Sequence, residues 1–206
     1  MLAVAVFGGL QAIPSPMGNF GKQVTVRMGQ NNFAFPENIG KIGTSDPSQP
    51  AGYAVFSFLY SLTKFEAGRA IAESTNVGIE DDLFHGSVSY RPKVTLRTSR
   101  QKLLFSLEKN NLKSSDGKTL ANGLLIYTPP NKWNDAFYFQ SRDGRDFYFE
   151  CGQPGIPMRT HLSCHVMEQW DNGLIADYYF PEHRKADVLK IDAELKTFIN
   201  SYKVAP

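Results

Sequence analysis

Two glycine turns restrict what this chain can fold into. Asp143-Gly144 lies between Ala136-Phe-Tyr-Phe-Gln140 and Asp146-Phe-Tyr-Phe-Glu150, and Asn172-Gly173 lies between Leu162–Gln169 and Leu174–Phe180. Aromatic and β-branched runs around Asp-Gly or Asn-Gly read as β-hairpins. Side chains alternate between faces along a strand, so a one-residue slip in pairing moves each of them to the other face. Register can therefore be argued from which residues must share a side.

In the first hairpin, a two-residue Asp143-Gly144 loop sets Phe139 opposite Tyr148 and Phe137 opposite Glu150. A three- or five-residue loop groups Phe137 and Phe139 with Phe147 and Phe149, and leaves Tyr138 with Tyr148. The longer loop separates phenylalanine from tyrosine, which predicts a bulge with Gly144 at positive φ. In the second hairpin, a two-residue loop sets Glu168 opposite Asp177, a like-charge pair that destabilises. A three-residue loop, Asp171-Asn172-Gly173, instead groups Leu162, Cys164 and Val166 with Tyr178 and Phe180, with Gly173 in the left-handed position.

The same alternation orients the two cysteines. Cys151 has the parity of Phe147 and Phe149, and Cys164 that of Leu162 and Val166, so both face the core at the joined ends of two strands. A disulfide across the Gly152–Pro157 loop is the simplest reading and would stabilise by roughly 3 kcal/mol on the chain-entropy model. The alternative is two buried thiols packing as small hydrophobes. His161 and His165 add zinc-type ligands nearby, but Cys-x9-His-x2-Cys-His is not a finger or knuckle spacing. On a strand those histidines lie on the face away from Cys164, so no metal is expected.

After Pro181 the period changes. Val188, Ile191, Leu195, Phe198, Ile199 and Tyr202 recur at three and four, one face of a helix from Ala186 to Tyr202. Asp187, Lys190, Asp192, Glu194 and Lys196 fill the remaining face, and Pro181-Glu182 suits the first turn. Upstream, Gln23–Met28, Phe33–Pro36, Tyr53–Leu62, Val88–Thr98 with a break at Pro92, and Gly123–Thr128 read as strands; Lys102–Leu107 leans to strand. Ile39–Gly52 and Glu66–Asp82 read as loops, the latter ending in Glu80-Asp81-Asp82. Arg91, Lys93, Arg97, Arg100 and Lys102 form a basic stretch on a solvated face. With a further Asp-Gly turn at Asp116-Gly117 and no parallel βαβ alternation, the expectation is an α+β domain: a mainly antiparallel sheet built of hairpins, with a long C-terminal amphipathic helix packed on it.

Residues 1–21 form an apolar N-terminal segment and linker, and residues 22–206 a single domain. Met1–Ala12 resembles the hydrophobic region of a signal peptide but carries no Lys or Arg before Lys22, so it reads either as a signal remnant or as a first strand. It is too short to span a membrane. The cysteine pair favours a periplasmic or otherwise exported protein over a cytoplasmic one. A formal net charge of +2 excludes an electrostatic footprint for nucleic acid.

Chemistry is not written in motifs. His85-Gly-Ser-Val-Ser-Tyr90 does not match Gly-x-Ser-x-Gly, and Gly40-Lys41 lacks the spacing of a phosphate loop. Asp143 and Asp146 sit in a turn, where aspartate is expected for turn reasons. No catalytic residue and no cofactor is assigned. The alternative is a small hydrolase with a dispersed site around His85, or around His161 and His165.

Phe33-Ala-Phe-Pro-Glu-Asn38, the Cys151 and Cys164 pair, and a strand Leu174–Phe180 running into the terminal helix resemble a group of small envelope proteins of Gram-negative bacteria. Some proteins of that group are immunity partners of secreted antibacterial toxins. The ending also resembles α/β/α sandwich proteins of the PsbP and Mog1 type. The first resemblance implies a non-enzymatic binding protein of the envelope with a protein partner, a toxin. Trp133, Tyr138, Tyr148 and Trp170 are expected to supply surface aromatics for it, unless they cover the second face of the sheet.

Overall fold

The computed structural model describes residues 23–36, 40–43, 55–61, 83–91, 94–142, 144–154, 163–170 and 173–204. The strands are β1 (Gln23–Met28), β2 (Asn31–Pro36), β3 (Gly40–Gly43), β4 (Val55–Ser61), β5 (Leu83–Tyr90), β6 (Lys118–Thr119), β7 (Leu125–Tyr127), β8 (Ala136–Arg142), β9 (Arg145–Cys151), β10 (Ser163–Gln169), β11 (Leu174–Pro181) and β12 (Lys203–Val204). Among the described residues two α-helices join them, α1 (Ser99–Lys109) and α2 (Val188–Ser201). The large sheet runs β3-β4-β5-β11-β10-β9-β8-β7-β6, and a small sheet runs β1-β2-β12. The pairings are antiparallel. The protein is α+β and mainly β, as the turn chemistry predicts.

The β10–β11 hairpin has the expected three-residue register. Cys164 faces Phe180, Val166 faces Tyr178, and Glu168 faces Ala176 rather than Asp177. Gly173 sits at φ +77°. The β8–β9 register is corrected: Phe139 faces Tyr148, Phe137 faces Glu150 and Arg142 faces Arg145, which is the two-residue loop. Gly144 does have φ +76°. The separation of Phe from Tyr fails as a criterion because both faces of this hairpin are covered. Phe137, Phe139 and Tyr148 pack under α1 with Leu107 and Tyr127. Tyr138, Phe147 and Phe149 pack into the larger core with Ile191, Leu195 and Ile199 of α2.

Four more expectations are corrected. Lys102–Leu107 is part of α1, not a strand, because Thr98 begins a capping box. Its hydroxyl accepts from the Gln101 amide at 3.2 Å, and the Gln101 side chain accepts from the Thr98 amide at 2.9 Å. Within the stretch 39–52, read as loop, residues 40–43 form β3, held by backbone pairing to β4; such pairing needs no apolar pattern. Pro181 ends β11 instead of starting a helix, and a 3-10 segment, Glu182–Asp187, precedes α2. Finally, β5 ends at Tyr90, so Val88–Thr98 is not one strand. Met1–Gly21, Glu66–Asp82, Pro92, Asp143, His161 and Leu162, each read from sequence above, lie outside the described residues.

Asp192 also departs from its expected place on the wet side of α2. It is fully buried. Its carboxylate accepts from Arg145 at 2.7 Å, pairs with Lys196 at 3.0 Å and accepts from the Tyr178 hydroxyl at 3.4 Å. Arg145 also grips Glu168, at 2.8 and 2.9 Å. Two acids and two bases thus link β9, β10 and α2. Burial first, and then Asp192, hold the Glu168 carboxyl above its ordinary 4.5, against the pull of Arg145 and Lys196. The folded protein therefore takes up this proton at higher pH than the unfolded chain does. Glu168's contribution is fully present below 4.5 and is lost as pH rises through the raised folded value. Glu168→Gln should flatten that downward slope in urea denaturation followed from about pH 4 to 7. An unchanged slope in the variant would assign it to another group.

Candidate functional site

Helix α1 lies on β8 and β9, and on its flank towards β10 opens a cleft of about 420 Å³. Phe137, Tyr148 and Glu150 form its floor from one side, and His165 and Met167 from the other. The walls come from the capped helix, with Lys102, Phe105 and Ser106, and from the loop carrying Trp133, Asn134 and Asp135.

That loop is held in place at both ends. The Gln153 amide, buried just past β9, donates to the carbonyls of Pro129 at 3.2 Å and Asn134 at 2.7 Å. The Asn134 amide donates to Asn110 at 2.7 Å, and Asn110 in turn donates to the Ser106 carbonyl at 2.8 Å. Trp133 is presented at the rim with 68% of its surface exposed, and Phe105 with 44%. The Arg97 guanidinium lies 4.0 Å from the Phe105 ring centroid, a cation–π contact that stiffens the wall.

The floor is polar but largely satisfied. Ser106 Oγ and the Tyr148 hydroxyl are 2.7 Å apart, and Tyr148 donates to Glu150. Burial, and then Glu150, push the Tyr148 phenol far above its usual range, so it stays protonated and donates. The Lys102 ammonium donates to the Met167 carbonyl. Burial lowers its pKa, while Glu168 and Glu150 pull it back up.

Beside the cleft, three rings line up across three strands. Tyr179 of β11 stands opposite both His85 of β5 and His165 of β10. Tyr179 stacks on His165 at 4.4 Å and on His85 at 5.3 Å. His165 Nε2 lies 2.8 Å from an Asp177 carboxylate oxygen. Burial holds the His85 imidazole below its ordinary value.

The residues singled out from sequence distribute as follows. Cys151 and Cys164 are bonded to each other, opposite one another on β9 and β10, with both sulfurs in the core. His165 reaches the cleft; His85 is outside it. Of the four aromatics expected on the surface, Trp133 is exposed, whereas Tyr138, Tyr148 and Trp170 are buried in the two cores. The basic stretch is not a plain wet face, since Arg97 stacks on Phe105, Arg100 pairs with Asp146 at 3.1 Å, and Lys102 turns inward. Phe105 was missed, and the overlooked Thr98-x-x-Gln101 box was the signal that could have found it. The His165–Asp177 pair has the form of an oriented base, but the Ser106 hydroxyl is engaged by Tyr148 and the thiols are spent in the disulfide.

Among the described residues, no helix is long and apolar enough to cross a membrane. No protein-family model and no curated protein matches the sequence. The fold is shared with an immunity protein of the Stenotrophomonas maltophilia type IV secretion system, at a TM-score of 0.60 and 14% sequence identity. That match covers 89% of this chain and 94% of the other. It agrees with the resemblance to immunity-type proteins at the level of fold; the PsbP-type resemblance gains no support.

Proposed function

We propose that this chain is a non-enzymatic binding protein of the bacterial cell envelope that neutralises a secreted antibacterial toxin, with the cleft beside α1 as its contact surface. The observation that carries this reading is the fold shared over nearly the whole of both chains with a secretion-system immunity protein. Two features of this chain support it. Trp133 and Phe105 are large exposed rings held by neighbours, the kind of anchor that dominates interface energetics. The Cys151–Cys164 bond suits an oxidising compartment.

The test uses secreted-toxin candidates from the genome that encodes this chain. Co-expression should restore growth to cells making one of them, and the purified pair should form a complex. Trp133→Ala should weaken that complex about 30-fold, the weight of a hot-spot residue near 2 kcal/mol. Lys190→Ala, on the exposed side of α2, should leave it unchanged. No protection and no complex would overturn the reading. A complex insensitive to Trp133 would move the contact surface elsewhere.

A further inference from the structure

We infer that the Cys151–Cys164 disulfide sets the shape of the cleft, and so places the binding surface under redox control. The inference rests on the cleft being the binding surface. Its ground is a seam in the large sheet. β8 and β9 pair along their whole length, from Ala136↔Cys151 to Arg142↔Arg145, and β10 and β11 likewise from Ser163↔Pro181 to Gln169↔Ile175. Between β9 and β10 the described pairing is only Cys164↔Cys151 and His165↔Glu150, with the Gly152 amide donating to the Ser163 carbonyl at 3.1 Å. The sheet is two halves stitched at one end, and the disulfide is in the stitch.

The two faces of the seam are closed unequally. On the α2 face, one core runs across it, joining Phe149 of β9 to Val166, Tyr178 and Phe180, and the Arg145–Glu168–Asp192 cluster bridges it as well. On the α1 face, the core stops short: Leu107, Tyr127, Phe137, Phe139 and Tyr148 all belong to α1 and the β7–β9 half. Among the described residues, what crosses there is Lys102 reaching the Met167 carbonyl, and the Leu96 amide donating to the Gln169 side chain at 3.3 Å. The cleft straddles this weaker side, with Tyr148 and Glu150 from one half and His165 and Met167 from the other. Glu150 and His165 are the rung next to the disulfide, and Gln153, two residues past Cys151, holds the Trp133 loop. The sulfurs pack in the core of the α2 face; without the bond that face keeps the rest of its core and its ion cluster, while the cleft face is left with those two hydrogen bonds across the seam.

The chemistry is thiol–disulfide exchange. Two thiols give up two electrons and two protons to a disulfide oxidant such as oxidised glutathione. The sulfur–sulfur bond of the protein forms as that of the oxidant is cleaved to two thiols. Both cysteines are buried, so a reductant reaches them only when the seam opens.

Hydrogen–deuterium exchange on the oxidised protein, the dithiothreitol-reduced protein and the Cys151→Ala/Cys164→Ala variant tests this. Reduction or substitution should raise exchange in α1, β9, β10 and the Trp133 loop while α2, β11 and β5 keep their protection. Binding of a toxin that the oxidised protein neutralises should weaken at least about tenfold. Unchanged exchange around the cleft overturns the inference. So does a uniform loss that includes α2 and β11, since the bond would then serve the whole fold and not the cleft. Exchange decides redox control without the toxin; failure of the oxidised protein to bind toxin overturns the functional reading instead.

Discussion

Asp192→Ala should lower the unfolding free energy by about 3 kcal/mol, at the lower end of what breaking a buried ion pair costs. The carboxylate is wholly buried and serves Arg145, Lys196 and the Tyr178 hydroxyl together. Its loss leaves Glu168 alone to balance two cations. Arg145 is 41% exposed and Lys196 28%, so both can turn partly to water, which is why the higher end of the range is not expected. Urea denaturation of the variant beside Lys190→Ala is the measurement, and the latter should stay within about 0.5 kcal/mol of the parent. A loss below about 1 kcal/mol for Asp192→Ala would mean that the cluster is hydrated in solution and does not fasten α2 to the sheet.

Gly86→Ala should cost a similar amount, about 3 kcal/mol, through overpacking against backbone. Gly86 stands on β5 directly opposite Tyr178 of β11. A Cβ there would lie 2.4 Å from the Asp177 carbonyl oxygen and 2.5 Å from Tyr178 Cβ. Neither can swing aside as the tip of a side chain can, so the two strands would have to part beside one of the most buried rings of the core. Tyr178 is fully buried, and its hydroxyl feeds the Asp192 cluster. The variant should therefore lose stability and also behave non-additively with Asp192→Ala. A stable Gly86→Ala protein with parent-like denaturation would show that β5 and β11 are farther apart at this point.

What the sequence made legible follows from how local each cause is. The β10–β11 register could be read because one candidate pairing brings Glu168 against Asp177, a cost visible in the strand itself. The β8–β9 register could not, because its answer depends on α1 covering the second face, and Lys102–Leu107 taken alone leans to strand. The stripe Val188, Ile191, Leu195 and Ile199 announced the core side of α2, but Asp192 beside it looked like any solvated acid. Arg145, from a strand far away in sequence, explains its burial together with Lys196 and the Tyr178 hydroxyl. The cleft was hidden for the same reason: its floor joins residues of β8, β9 and β10 to a helix whose one clear mark was Thr98-x-x-Gln101. Trp133 was identified as an anchor by residue type alone, and type alone also named Tyr138, Tyr148 and Trp170, which the structure buries.

The small sheet bears on the order of events during synthesis. Its third strand, β12, pairs Lys203 with Phe33 and Val204 with Asn32; the Ala34 amide donates to the Tyr202 carbonyl at 2.9 Å, and the rings of Phe35 and Tyr202 lie 5.4 Å apart. The β1–β2 hairpin is made early by the ribosome, yet it cannot complete its sheet until residues beyond 200 have emerged. Until then one edge of β2 stays unpaired, with Phe33 and Phe35 lacking their final cover, the condition in which strands join the wrong neighbour. Closing contacts so distant along the chain is slow. The nascent protein thus passes through a long interval in which the β1–β2 hairpin lacks its third strand, and emergence of α2 and β12 ends that interval.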